Sequence, residues 1–364
     1  MPSPSELGLY VVVPLILTSW LFYQVYSRRL GAIDFDHAYW PAGMRVIHGL
    51  SPYVYDRAQI AGGVAFVYPP AAALLFAPFA LVSRGFSSAV FVVLSLAAGA
   101  GTLAVLRVRD WRLYGLIFLW PPVVSAWQTG NLTLLLGLGV ALAWRFRDRP
   151  VVAGAITGVL ISMKPLVWPL LLWLVATRRL RATIWGVASA VAINGLALVL
   201  LGFTEAGRFV HLTNAVTDAL IKSGYGLAAV SVHLGLGKTT GLVAEIVLSG
   251  ITALCLIAAG RRPNDLLAMT LCVALMLLAS PLLWEHYFAL LLVPLALARP
   301  RLSAAWGVPL LLFACPARAA GTWQELVWWA GVVALLLAVV GPGRSERSRV
   351  WRANARPAVS GTVI

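Results

Sequence analysis

The sequence predicts an all-α, polytopic integral membrane protein, and three observations carry that reading. Of its 364 residues, 60% are hydrophobic and only 11% are charged, against about 25% charged in a soluble domain. Its mean hydropathy is strongly positive. Its apolar runs, such as VVVPLILTSWLFYQV and LVAEIVLSGITALCLIAA, are continuous and do not alternate. Lipid offers a backbone no hydrogen-bond partners, so only helices or a closed barrel can span it, and continuous runs select helices. Fifteen tryptophans suit interfacial belts and the gaps between helices.

A formal charge of +15 raises the question of nucleic acid. The basic residues, however, sit in short connectors between apolar runs, where they orient membrane helices, so no nucleic-acid partner is expected. Cys255 and Cys272 fall inside apolar runs and Cys315 has no evident partner, which excludes a disulfide framework. The N-terminus begins MPSPSE, without a basic leader or a cleavage site after the first apolar run. Residues 8–27 therefore read as a retained first helix.

Twelve crossings are predicted: 8–27, 86–106, 113–126, 131–144, 151–163, 166–177, 183–203, 239–259, 265–281, 286–298, 303–315 and 322–341. Several are shorter than the ~20 residues a perpendicular span needs, and Pro165 and the pair Pro121-Pro122 predict breaks. Residues 67–83 could add a thirteenth. Basic residues decide, because they favour the cytoplasmic side. Twelve spans with an inner N-terminus place 18 of the 28 basic residues inside, among them Arg107, Arg147, Arg179, Arg261 and Arg301; thirteen spans place six there. Twelve is the prediction, with 67–83 a short or re-entrant element on the outer side. Residues 1–341 then form one transmembrane domain whose first outer loop is 28–85. Residues 342–364 form a basic cytoplasmic tail without fixed structure. The expected location is the cell (plasma or inner) membrane.

This topology gathers the unusual polar residues on the outer side: Asp34, Asp36, His37 and Tyr39 in DFDHAYW, Tyr68 in FVYPP, Gln128 and Asn131 in WQTGN, Lys164 in SMKP, and Glu285 and His286 in SPLLWEHYF. Inner connectors are mostly arginine with Pro, Asp or Trp. A lysine at membrane depth is expensive and must snorkel or meet an anion. Gln128 and Asn131 also suit a plain helix cap, and His286 a plain structural hydrogen bond. Asp56 and Asp218 read as solvated loop aspartates, and His48, His211 and His233 as structural. Around Lys238, GLGKTTG has Val232 where a P-loop needs its first glycine, so nucleotide binding is not supported. No HExxH, paired CxxC or histidine cluster occurs, and no metal or other cofactor is expected.

The ordered series DF, GLSPY, FVYPP, WQTGN, SMKP and SPLLWEHY, running from residue 34 to about 290, resembles glycosyltransferase family 87. No single motif is specific; their order and spacing are. The resemblance implies a GT-C-like helical bundle with about twelve transmembrane helices and an extracytoplasmic active site. It implies a mannosyltransferase that takes a hexose, mannose foremost, from a polyprenyl-phosphate donor, with an aspartate of the first outer loop as catalytic base. The acceptor is then an extracytoplasmic glycan or glycolipid. Two departures stand out: Asp34 lies five residues before Tyr39 and Asp36 three, where the family shows one aspartate, and Glu285 and Tyr287 flank His286.

Residue chemistry agrees with that implication. An acceptor hydroxyl loses its proton as it attacks the anomeric carbon, and Asp34 or Asp36 can take it. Asp34, followed by Phe35, fits the family's DF pattern better. In an extended loop the two would point the same way, leaving the second to orient the acceptor. Lys164 is the expected partner of the donor phosphate, and Tyr39, Tyr68, Gln128, Asn131 and Glu285 the expected substrate contacts. His286 is read as a hydrogen-bond donor to the phosphate or as an assistant to the base. The competing reading is a transporter or flippase of lipid-linked sugars; no self-similarity between halves supports it.

Overall fold

The computed structural model describes residues 3–27, 31–262, 264–314 and 322–340. The basic stretch from residue 342, Cys315 and residues 28–30 lie outside them. The described residues fold into helices joined by short turns, with no strand among them. Among the described residues, five helices are long and apolar enough to cross a membrane: Pro4–Gln24, Arg84–Val105, Leu180–Leu201, Lys238–Gly260 and Trp323–Val340. A sixth span arises if Pro121–Thr129 and Thr133–Arg145, which meet at 116°, count as one broken crossing. Six shorter apolar helices, Pro70–Ala80, Pro150–Met163, Pro165–Ala176, Asp265–Leu278, Glu285–Ala298 and Ala304–Phe313, complete the apolar set. The molecule is thus a polytopic helical membrane protein.

Proline sets many of the starts. Pro70, Pro121, Pro150 and Pro169 each stand in a helix's first turn, where the missing N–H would have had no partner anyway. Pro165 acts one residue upstream. A residue before proline is pushed out of the helical region, and Lys164 is extended, at φ −154° and ψ 116°. The helix Pro150–Met163 ends there, and the Lys164 side chain leaves its axis.

The position of that helix is fixed by close packing. Gly154 and Gly158 form a GxxxG pair facing the helix Leu180–Leu201. A methyl at Gly154 would come within 2.5 Å of the Ala182 carbonyl, and one at Gly158 within 2.5 Å of Ser189 Cβ. In lipid, where apolar surface gains nothing by leaving the solvent, such backbone approach is a main source of helix association.

Connectors gather into two groups at opposite ends of the same helices. At one end, the residues before Thr133 and after Met163 meet the 31–68 segment and the turn before Glu285. At the other, Arg147 and Arg179 both pair with Asp265, at 3.1 and 2.8 Å, and Arg179 also reaches Asp148 at 3.3 Å. At that same end Asp110 accepts from Arg112 Nε at 2.9 Å and from the Leu302 backbone at 2.8 Å.

The connector between Leu201 and Lys238 contains a helix outside the predicted crossings, Thr204–Leu220. It is amphipathic and docks on the 50s segment: Ser51 Oγ donates to buried Glu205 at 2.6 Å, and Tyr53 packs against Phe209. His233 pairs with Glu325, and Lys238 with Asp218, both structural contacts between neighbouring elements.

Candidate active site

DFDHAYW is helical, not extended. Phe35–Tyr39 forms one wide π-helical turn that continues as the α-helix Trp40–Ile47. Its anchor is Phe35, fully buried among Phe76, Phe79 and Phe91 with ring centroids 6.2, 5.7 and 4.8 Å away. The expectation that Asp34 and Asp36 point the same way is therefore corrected. On a helix, residues two apart differ by roughly half a turn. Asp34, Ala38 and Tyr39 line one cavity, while Asp36 and His37 line another.

The partner of Asp34 comes from WQTGN. The helix Pro121–Thr129 ends at Gly130, which is left-handed (φ 64°), a conformation costing other L-residues roughly 1–2 kcal/mol. Any side chain there would also sit 3.0 Å from Ala32 and 3.1 Å from Phe35. Glycine thus lets this turn press against the start of the DFDHAYW helix, and the Ala32 N–H donates to the Gln128 carbonyl at 2.7 Å. Asn131 is delivered next. Its Oδ1 accepts from the N–H and hydroxyl of Thr133, the first residue of the helix Thr133–Arg145, at 3.0 and 2.7 Å. Its Nδ2 lies 2.5 Å from Asp34 Oδ2, 3.2 Å from Tyr39 Oη and 3.3 Å from Tyr68 Oη. These contacts and the carboxylate contact are one arrangement, because the two Thr133 bonds fix which way the amide points.

The tyrosines extend this network to Lys164. Tyr39 and Tyr68 hydroxyls are 2.5 Å apart, and Lys164 Nζ donates to Tyr68 Oη at 3.3 Å. The ammonium lies 4.8 Å from the Tyr68 ring centroid and 4.0 Å from that of Tyr287, where ring quadrupoles attract it. Lys164 is 8% exposed and does not snorkel. It stands behind Tyr68 and Tyr287, which line the cavity, and not on the wall itself.

The cavity has a volume of about 250 Å³, small beside the ~300–1,000 Å³ of drug-sized sites, so it suits a group the size of one sugar. Asp34, Asn131, Glu285 and His286 face it, with Tyr225 and Trp284 as aromatic walls. His286 Nε2 is buried and lacks a hydrogen-bond partner among the described residues. Burial pushes the Asp34 carboxyl above the usual carboxylate range, against the opposing pull of the Asn131 hydrogen bond and the Lys164 charge. A carboxylate made more basic, beside an open cavity, is suited to accepting a proton.

Of the residues expected from sequence, Asp34, Tyr39, Tyr68, Asn131, Glu285 and His286 share this cavity, and Lys164 backs it. Gln128 is not on its wall and contributes a backbone carbonyl to the turn. Asp36 faces the second cavity. Ser223, Tyr225 and Trp284 were not anticipated. Tyr225 arrives because its N–H donates to the Leu283 carbonyl at 2.7 Å, a pairing between distant connectors. The only local signal was an aromatic between two glycines in SGYG. Among the described residues, no three of His, Cys, Asp and Glu group so as to hold a metal ion.

The profile of glycosyltransferase family 87 matches residues 66–281, more than half of the chain. The chain belongs to glycosyltransferase family 87. It is 30% identical to a polyprenol-phosphate-mannose-dependent alpha-(1-2)-phosphatidylinositol pentamannoside mannosyltransferase of Mycobacterium tuberculosis, over 77% of this chain and 73% of that one. It is 25% identical to a polyprenol-phosphate-mannose-dependent alpha-(1-2)-phosphatidylinositol mannoside mannosyltransferase of Mycolicibacterium smegmatis, over 90% of this chain and 88% of that one. No solved structure matches. The family 87 profile begins at residue 66, so it takes in Tyr68, Asn131 and Lys164 and leaves Asp34 and His286 outside.

Proposed function

We propose that this family 87 glycosyltransferase moves mannose from a polyprenyl-phosphate donor to a glycolipid acceptor, on the extracytoplasmic side of the cell membrane, with Asp34 as its base. The observation that carries the reading is the convergence of Asp34, Asn131 and His286 on one sugar-sized cavity backed by the Lys164 side chain. The relatives named above carry polyprenol-phosphate-mannose and phosphatidylinositol mannosides in their names, which supports this donor and this class of acceptor.

In this mechanism the acceptor hydroxyl sits against Asp34 and passes its proton to the carboxylate as its oxygen attacks the anomeric carbon. The bond from that carbon to the phosphate oxygen breaks, and the polyprenyl phosphate departs with the electron pair. Asn131 holds the carboxylate in place. Lys164 stabilises the departing charge through the low-dielectric wall of Tyr68 and Tyr287. His286, protonated at Nε2, donates a hydrogen bond to the same phosphate. The leaving group carries its own phosphate charge, so the residues named suffice for the proton and charge transfers. Glu285, Trp284 and Tyr225 bound the sugar.

The base reading has a pH signature. Asp34 works only when ionised, so activity is lost as pH falls through its pKa. Burial raises that pKa, so the acidic limb of kcat/KM should lie above the ~3.9 of an ordinary aspartate. A profile of transfer rate against pH checks this; a limb at the ordinary position would contradict a buried base.

Twelve spans with the cavity outward is the topology we infer. It is supported by the gathering of Asp34, Asn131, Lys164 and His286 at one end of the bundle and of the Arg147, Arg179 and Asp265 cluster at the other. In a background without Cys255, Cys272 and Cys315, a cysteine at exposed Arg57 should react with an impermeant reagent on intact cells. One at exposed Arg149 should react only after permeabilisation. The reverse pattern would put the cavity on the cytoplasmic side.

A further inference from the structure

The second cavity, of about 470 Å³, lies across the DFDHAYW helix from the first. Ala38 lines both. Along the neighbouring extended segment, Ala65 and Val67 face the first cavity while Phe66 faces the second. Its polar lining is Asp36, His37, Arg45, Gln59 and Arg84. Arg45 Nε donates to the Ser51 carbonyl at 2.5 Å, which leaves the outer nitrogens of its fork for another partner. Neither Arg45 nor Arg84 forms an ion pair among the described residues. Asp36 Oδ1 is buried, with Ser88 beside it but no donor in hydrogen-bond geometry.

This cavity sits at a lipid border. Arg84 is the first residue of the spanning helix Arg84–Val105. Leu81 and Phe86, on either side of it, are 72% and 62% exposed, an arrangement that makes sense against acyl chains. Trp40, also in the lining, donates from its indole to the Val82 carbonyl at 3.3 Å, and tryptophan favours the headgroup level. Two guanidinium groups and one carboxylate leave a net positive site at headgroup depth. A planar fork matches phosphate oxygens, whereas a carboxylate and an amide match hydroxyl groups.

We propose that this second cavity holds the phosphodiester headgroup of the anionic lipid that accepts the sugar. Arg45 and Arg84 grip its phosphate, and Asp36 and Gln59 take hydroxyls of the polyol beside it. The inference rests on the transferase reading and adds where the acceptor is anchored: the hydroxyl that attacks is at Asp34, and the phosphate is on the other side of the helix.

The test titrates dihexanoyl-phosphatidylinositol onto the purified full-length chain, followed by native mass spectrometry. The variants are Arg45→Gln/Arg84→Gln, Arg84→Gln alone and Arg84→Lys. Hydrogen bonds to charged groups are among the stronger ones. The double variant should therefore lose at least about tenfold in affinity, Arg84→Gln alone severalfold, and Arg84→Lys less than that. The KM for polyprenyl-phosphate mannose should stay within about twofold, which also shows that the variants are folded. If the double variant folds poorly, Arg84→Gln decides, since Arg84 is exposed. Wild-type affinity in the variants would overturn the proposal, as would equal binding of dihexanoyl-phosphatidylcholine. Displacement by an equal concentration of inorganic phosphate would also overturn it, by assigning the site to free phosphate. Wild-type protein that binds the inositol lipid yet transfers no sugar would defeat the transferase reading and leave this site standing.

Discussion

Replacing Asp34 by asparagine should slow sugar transfer by about 10²–10⁴-fold, the usual worth of general-base assistance, while donor affinity changes little. Asparagine keeps the shape and one oxygen for Asn131 Nδ2, which lies 2.5 Å from the carboxylate, but it cannot accept the acceptor's proton. The loss should therefore fall on kcat. Asp36→Asn is the matched control. Its carboxylate faces the second cavity, so turnover should persist and any change should appear in acceptor KM. Steady-state kinetics on both variants, with donor and acceptor varied separately, check this. Near wild-type transfer by Asp34→Asn would remove the base from the mechanism.

Lys164→Met should lower kcat/KM for the donor by roughly 10–10²-fold, as expected when a buried charge several ångströms from the phosphate, worth about 2 kcal/mol at an effective dielectric constant of ~20, is lost. Methionine is close in length, so the space beneath Tyr68 and Tyr287 stays filled. Lys164 lies behind those rings, so its action on the phosphate is that of a nearby buried charge, and the loss should appear in turnover as well as in KM. The same charge helps keep Asp34 ionised. Removing it should move the acidic limb of the pH profile further upward, a shift that loss of packing alone would not produce. Lys164→Arg should recover only part of the activity, because the larger fork must fit a slot 4.0 Å from the Tyr287 centroid. Unchanged kinetics and an unmoved limb in Lys164→Met would mean that the lysine is structural.

Much of this architecture was legible in the sequence because lipid leaves a chain few choices. The apolar runs become helices, and the predicted 86–106, 183–203 and 239–259 segments correspond to Arg84–Val105, Leu180–Leu201 and Lys238–Gly260. The break at Lys164 was readable from Pro165, since the restriction before proline is local. Grouping Asp34, Tyr39, Tyr68, Asn131 and His286 followed from connector parity and from the motif order. The winding of DFDHAYW was not legible. Its helix depends on Phe35 being buried among Phe76, Phe79 and Phe91, contacts from far along the chain. That winding separates Asp34 from Asp36 and creates the second cavity. The helix Thr204–Leu220 was missed because it carries too little apolar sequence to look like a span, and its burial of Glu205 against Ser51 is a tertiary event. Tyr225 reaches the cavity through one backbone hydrogen bond to Leu283, which no local pattern announces.

The most direct measurement incubates the purified chain with mannose-labelled polyprenyl phosphate and a phosphatidylinositol mannoside, and follows both the label and the lipid. The account predicts that label passes to the acceptor while free polyprenyl phosphate accumulates in equal amount, and that Asp34→Asn slows both by about 10²–10⁴-fold without abolishing donor binding. Intact donor that crosses between leaflets of a reconstituted vesicle, with no polyprenyl phosphate released and no labelled acceptor formed, would contradict it.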